Sequence, residues 1–171
     1  MTQEQDGAYV KWSSLPVKWS FLCGEEDVPE LRQGFEWWNT KYGNVFVEIP
    51  SDESCLCDIQ GTSCPDVFVH KDFEDPVLLD AGVRRYAATH VKVLPDAGVG
   101  RVRVTWYDNF DEANEFARQT IARHESGHVL GLMHSSYEPC LMYPTVDQDD
   151  NRVKDICPGE ERLFKAMYGR E

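Results

Sequence analysis

His124-Glu125-Ser126-Gly127-His128-Val129-Leu130-Gly131-Leu132-Met133-His134 gathers three imidazoles and one carboxylate into a single short stretch. The whole chain has five histidines, so this concentration asks for a chemical reason. On a helix, His124 and His128 lie one turn apart and project from one face, where both can hold the same cation. Gly131 ends that helix, because glycine accepts a positive φ at little cost. The turn brings His134 round as a third ligand. Three neutral imidazoles on a tetrahedral zinc leave the fourth position for water. Glu125 follows the first ligand and can reach that water. The expected chemistry is hydrolysis. Zinc polarises a carbonyl and lowers the pKa of water toward about 7, while Glu125 accepts the water proton and passes it to the leaving amine. The competing reading is a helix whose histidines are ordinary surface or core residues. Gly131 and His134 weigh against it.

Outward from this stretch, the periodicity sets the layout. Pro16 to Leu22 alternates apolar and polar residues and reads as a strand. Asp27-Val28-Pro29-Glu30 opens a helix, with Asp27 as N-cap and Leu31, Phe35 and Trp38 at helical spacing, closing near Tyr42-Gly43. Val45 to Ile49 and Asp66 to Val69 read as strands, and so does Ala87 to Leu94. Asp96 to Gly100 is a turn, after which Arg101 to Trp106 alternates cleanly. A long helix is expected from about Asp111 to Leu130, carrying Phe116, Thr120, Ile121, His124 and His128 along one side. A last helix runs from Pro158 to Tyr168. The fold class is α+β, a twisted mixed sheet of about five strands with two long helices and a C-terminal helix. Residues 1–11 form a polar tail and residues 12–171 a single domain.

Composition narrows the function. The 171 residues are enough for one sizeable core, and a hydrophobic fraction of 42% is that of a globular chain. A formal charge of −13 opposes binding to nucleic acid. No apolar run is long enough to span a membrane. Met1 to Gly7 is polar and lacks the basic and apolar regions of a secretory signal. The six cysteines permit three disulfides in fifteen pairings. Cys55, Cys57 and Cys64 sit in a Ser/Asp/Gly/Pro-rich stretch that suits a stapled loop; a second metal site is the rival reading. Disulfides imply an oxidising compartment. Cys140 and Cys157 are suited to tie the region after His134 to the C-terminal segment.

The motif from His124 to His134 resembles that of the metzincin clan of zinc peptidases. His134-Ser135-Ser136 followed by Leu141-Met142-Tyr143-Pro144-Thr145 resembles the segment after the third histidine in matrixins, the matrix metalloproteinase family. A weaker resemblance covers most of the chain, from the first strand to the terminal Tyr168-Gly169. It implies an active-site cleft between a larger N-terminal subdomain, about 12–131, and a smaller C-terminal one, about 132–171. It implies a zinc endopeptidase with His124, His128 and His134 as ligands, Glu125 as general base and acid, and Met142 as the Met-turn methionine beneath the metal. Ala87 to Leu94 would be the edge strand that pairs with an extended peptide substrate. Thr89, His90, Val91, Thr120, Tyr143, Pro144 and Val146 are the expected substrate-binding residues, with Thr120 on the pocket floor. The protein is expected to be a secreted or extracellular monomer, binding neither nucleic acid nor membrane.

The chain also departs from the matrixin pattern. Matrixins often carry a structural zinc held by His-x-Asp and two further histidines. His70, Asp72 and His90 supply three such ligands, but Arg101 to Trp106 contains no histidine. One catalytic zinc is therefore expected, with neither a structural zinc nor calcium. Matrixins commonly have tyrosine where Val146 stands, so the pocket differs in shape. Asp6 is the nearest candidate for an inhibitory aspartate ahead of the domain; a disordered polar tail is the alternative. Two other functional classes compete with the peptidase: a metal-containing binding module without turnover, and a zinc hydrolase of a non-peptide amide.

Overall fold

The computed structural model describes residues 11–22, 24, 28–50, 64–72, 86–94, 98–147 and 149–170. Among these residues five strands form one sheet: β1 (Val17–Phe21), β2 (Phe46–Glu48), β3 (Val67–Asp72), β4 (Ala87–Leu94) and β5 (Gly98–Tyr107). Their order is β2-β1-β3-β5-β4. β1 pairs in parallel with β2 and β3, and β3 with β5, while β4 runs antiparallel to β5 and lies at the edge. Among the described residues three α-helices accompany the sheet: α1 (Pro29–Tyr42), α2 (Glu115–Val129) and α3 (Pro158–Tyr168). The architecture is the expected α+β one, a mixed sheet with two long helices and a closing helix.

The core lies where α1 and α2 cover one sheet face. Val17, Trp19 and Phe21 of β1, Val67 and Val69 of β3, and Val102, Val104 and Trp106 of β5 are all buried. Their spacing of two follows the pleat. Leu31, Phe35 and Trp38 of α1 answer them at helical spacing. Phe35 stacks on Trp19 with ring centroids 4.3 Å apart, and meets Phe46 edge-on at 4.9 Å. Such aromatic pairs contribute beyond the area they bury. Trp38 turns toward the C-terminal helix, 5.4 Å from Phe164, and its indole N–H donates to the Arg123 carbonyl at 3.2 Å.

Several expected boundaries move for local reasons. α1 is capped by Val28 without a side-chain hydrogen bond, and Pro29 is its first residue; the anticipated cap, Asp27, lies outside the described residues. β2 is shorter than Val45 to Ile49, and Asn39 takes up the backbone donors at its entrance. The Asn39 amide oxygen accepts from Val45 N at 3.0 Å and Phe46 N at 2.8 Å. β3 extends to Asp72, and β5 begins at Gly98, inside what the sequence marks as a turn. The long helix starts at Glu115, not Asp111. A 3-10 turn occupies Asp108–Glu112, and the Asn114 side chain caps α2 by accepting from Ala117 N at 2.8 Å. The stripe on α2 departs at one position: Phe116 is exposed and Ala117 is buried in its place, while Thr120, Ile121 and His124 face inward as expected.

Candidate metal centre

α2 and the turn after it build the centre. His124 and Glu125 are buried and His128 is half-buried on the last two turns of α2. Gly131 has φ of +86°, which reverses the chain. The reversal is closed by the Leu132 N–H, which donates to the Gly127 carbonyl at 3.1 Å. His134 then arrives beside the other two, with ring centroids 5.3 Å from His124 and 4.8 Å from His128. One ligand atom from each of the three lies within 4.8 Å of the others.

The ring orientations are held by backbone. His124 Nδ1 lies 2.8 Å from the Leu141 carbonyl oxygen, and His128 Nδ1 lies 2.6 Å from that of Leu132. A carbonyl only accepts, so each Nδ1 carries its proton and each Nε2 keeps a lone pair. That is the tautomer a metal ligand needs, with the other nitrogen anchored. Burial pushes both imidazoles down to about 4, so both are neutral at pH 7. Neutral, oriented, convergent imidazoles fit zinc by the chemistry of the donor set.

Met142 is fully buried against the ligand helix. Its Sδ would lie 2.7 Å from a Cβ added at Gly127, so it packs directly under α2. The turn around it is pinned from three sides. Ser135 N donates to the Met142 carbonyl at 2.8 Å, Leu141 N donates to the Asp155 carbonyl at 3.0 Å, and Met142 N donates to Glu160 Oε1 at 3.0 Å. Glu160 Oε2 accepts from Cys157 N at 2.9 Å, closing a capping box at the start of α3. Sequence reading had not singled out Glu160. Its signal is an acid at the third position of a helix opened by Cys157-Pro158. The disulfide Cys140–Cys157 spans the same junction. Cys64 is also disulfide-bonded, whereas Cys55 and Cys57 lie outside the described residues.

A cleft of about 670 Å³ runs past the three histidines. Tyr86 and the β4 residues Ala87, Ala88, Thr89 and His90 form one wall; Tyr143, Pro144, Thr145 and Val146 form the other. Glu125 opens into it, and Thr89 Oγ1 lies 2.6 Å from Glu125 Oε2. A matrixin family model matches residues 11–169.

The chain belongs to the matrixin family.

Matrixins are a family of zinc metallopeptidases. Matrilysin of Felis catus is 42% identical over 50 residues, covering 29% of this matrixin chain and 19% of that protein. Matrix metalloproteinase-18 of Xenopus laevis is 25% identical over 170 residues, 93% of this chain and 33% of that one. The hatching enzyme of Paracentrotus lividus is 30% identical over 146 residues, 79% of this chain and 22% of that one. The chain thus spans a fifth to a third of the length of these relatives. Archaemetzincin from Methanopyrus kandleri superposes with a TM-score of 0.55 at 13% identity, over 90% of this chain and 96% of that one, a likeness of fold.

Not every expected cleft residue of this matrixin lies in the cleft. Thr120 is buried behind it, where its hydroxyl accepts from Lys154 N at 3.1 Å; Ile121 lines the cleft instead. Val91 is exposed on β4 beyond the cleft wall. His70 is engaged elsewhere, with Nε2 2.9 Å from Thr105 Oγ1 and Nδ1 3.1 Å from the Lys71 carbonyl. His90 pairs in register with Arg103 on β5. Asp6 lies outside the described residues.

Proposed function

We propose that the chain is a zinc endopeptidase domain that cleaves extended peptides. The observation that carries this reading is the convergence of His124, His128 and His134, with two Nδ1 atoms committed to backbone carbonyls, around a cleft that Glu125 enters. These three imidazoles would hold the ion. When bound, zinc supplies Lewis-acid polarisation of a carbonyl and a lowered pKa for water. The rest is done by the chain. Glu125 accepts a proton from the attacking water and returns it to the leaving nitrogen. Leu132 and Leu141 carbonyls keep two imidazoles in the ligating tautomer. Met142 packs under the ligand helix and preserves its position.

Substrate binding follows from the sheet. Among the described residues β4 has β5 on one side and ends the strand order, so its outer edge can receive a peptide as an added strand. Such a strand would lie along Thr89 and His90 with its scissile carbonyl near the histidines. The residue after the scissile bond would enter the space walled by Ile121, Tyr143, Pro144 and Val146. Residues 12–131 and 132–171 of this single domain would form the upper and lower lips. The disulfide Cys140–Cys157 and the family favour an extracellular setting. Among the described residues no helix is long and apolar enough to cross a membrane.

The intact Glu125 weighs against a binding module without turnover, and the edge strand weighs against a non-peptide amide. One comparison tests all three. Zinc-loaded protein is incubated with unfolded casein, with and without a chelator, beside Glu125→Ala. Cleavage should vanish with the chelator and fall by at least about a hundredfold in the variant. Cleavage that survives either treatment overturns the mechanism, and a zinc-loaded protein that never cleaves casein supports the binding module or the non-peptide hydrolase in its place.

A further inference from the structure

We infer that Thr89 is a positioning residue for the Glu125 carboxylate, joining the substrate strand to the base. The inference rests on Glu125 being the base, and adds a residue whose side chain is assigned no part in the chemistry above. Thr89 stands on β4 in register with Val104 of β5, half-buried, on the sheet face that meets α2. Its Oγ1 lies 2.6 Å from Glu125 Oε2 and 3.1 Å from the Glu125 backbone carbonyl. The shorter distance is that of a hydroxyl donating to a charged carboxylate. Threonine suits the place: its branched side chain favours a strand and is stiff about χ1, so the hydroxyl is held in place before substrate arrives.

The two acceptors matter because a hydroxyl has one proton to give. While Glu125 is ionised, that proton is directed at Oε2. Oε1 is then the oxygen available to take a proton from water in the cleft that Glu125 lines. As the attacking water loses its proton, an O–H bond of water breaks and the Oε1–H bond forms. Later Oε1–H breaks and an N–H bond forms on the leaving amine. The Thr89 proton stays on Oγ1 throughout. When Oε1 is protonated, the Thr89 hydroxyl can swing toward the Glu125 carbonyl, so the donor is never stranded and does not oppose the proton transfer. Thr89 also belongs to the edge that would pair with the peptide. A peptide in correct register and a base in correct orientation would then depend on one residue.

The test compares Thr89→Val, which keeps shape and branching, with Thr89→Ser, which keeps the hydroxyl. The substrate is a fluorogenic peptide built on a casein site that the wild-type protein cleaves. In Thr89→Val, kcat should fall about ten- to a hundredfold with KM changed less than about twofold, and zinc content and melting temperature should hold. Thr89→Ser should restore kcat to within about threefold. A rise in KM at constant kcat would make Thr89 a substrate contact only. Equal loss in both variants would assign the effect to the methyl group. Either result overturns the inference, as does an unchanged kcat in Thr89→Val. If Thr89→Val does not fold, Thr89→Ala takes its place; failure of both makes Thr89 a structural residue and also overturns it. An inactive Glu125→Ala beside a fully active Thr89→Val refutes the role of Thr89 alone. Full activity in Glu125→Ala refutes the base assignment beneath it.

Discussion

The space beneath α2 is set by a missing Cβ at Gly127. A Cβ there would meet Met142 Sδ at 2.7 Å and Trp38 Cζ2 at 3.3 Å. Gly127→Ala gains helix propensity of about 1 kcal/mol but overpacks this site by about 1–3 kcal/mol. A net destabilisation is expected in urea, and the substitution should cost less in a Met142→Ala background, where the obstacle is gone. Equal cost in both backgrounds would show that Met142 is not the neighbour that matters. His124 and His128 carry a second prediction, for the metal-free protein. Burial holds both near 4, below the ordinary histidine value of about 6.5. Between those pH values the unfolded chain binds more protons than the fold, so stability falls as pH drops from 6.5 toward 4. Each buried imidazole contributes up to about 1.4 kcal/mol per pH unit in that window. Urea midpoints between pH 7 and pH 4.5 should show the decline, and replacing both histidines with glutamine should flatten it. The motif itself was legible residue by residue. What the sequence did not disclose was the Thr89–Glu125 bond, because its partners are 36 positions apart and meet only when β4 lies over α2.

Helix α2 carries His124, His128 and Glu125, so its seat against α1 bears on the site. The two helices touch at Gly34, where an added Cβ would lie 2.5 Å from the Ala122 carbonyl oxygen. Backbone cannot yield as a side chain can. Gly34→Ala should therefore cost more than Gly127→Ala, about 3 kcal/mol or more in urea denaturation, and should weaken zinc retention in chelator competition. Unchanged stability would mean the helices slide freely. The opposite wall of the cleft is held by Lys154. Its Nζ donates to the Glu138 carbonyl at 2.9 Å and the Thr145 carbonyl at 3.2 Å, and lies 5.0 Å from the centre of the Tyr143 ring. Lys154→Met keeps the aliphatic stem and loses these ties. It should broaden the residues accepted after the scissile bond, read as kcat/KM across a peptide set varied at that position; an unaltered ranking would refute a role for Lys154 in the wall. Element types were readable because valine alternation and the α1 stripe are local signals. Element ends were not, since Asn39 and Asn114 set them through side-chain caps that compete with the periodic pattern.

Across the whole molecule, the C-terminal helix is welded to the Met142 turn. The Cys140–Cys157 bond closes 17 positions of chain, and Glu160 reaches back from α3 to Met142 N. Replacing both cysteines by serine should lower stability by about 3 kcal/mol and leave the sheet intact, as urea denaturation and circular dichroism would report. A loss well below about 1 kcal/mol would show that Glu160 and the Phe164 packing already hold the junction. The sequence by itself determined the α+β class, the residues of the metal motif and the acid beside them. These depend on composition, periodicity and spacings of a few residues, which the chain carries locally. Only the tertiary structure decided that Ile121 and not Thr120 faces the cleft, that Leu132 and Leu141 fix the imidazoles, and that Thr89 reaches Glu125. Those are contacts between segments far apart in the chain. They depend on the angle of a helix stripe and the offset of an edge strand, and a shift of one residue in either exchanges the group that faces the site.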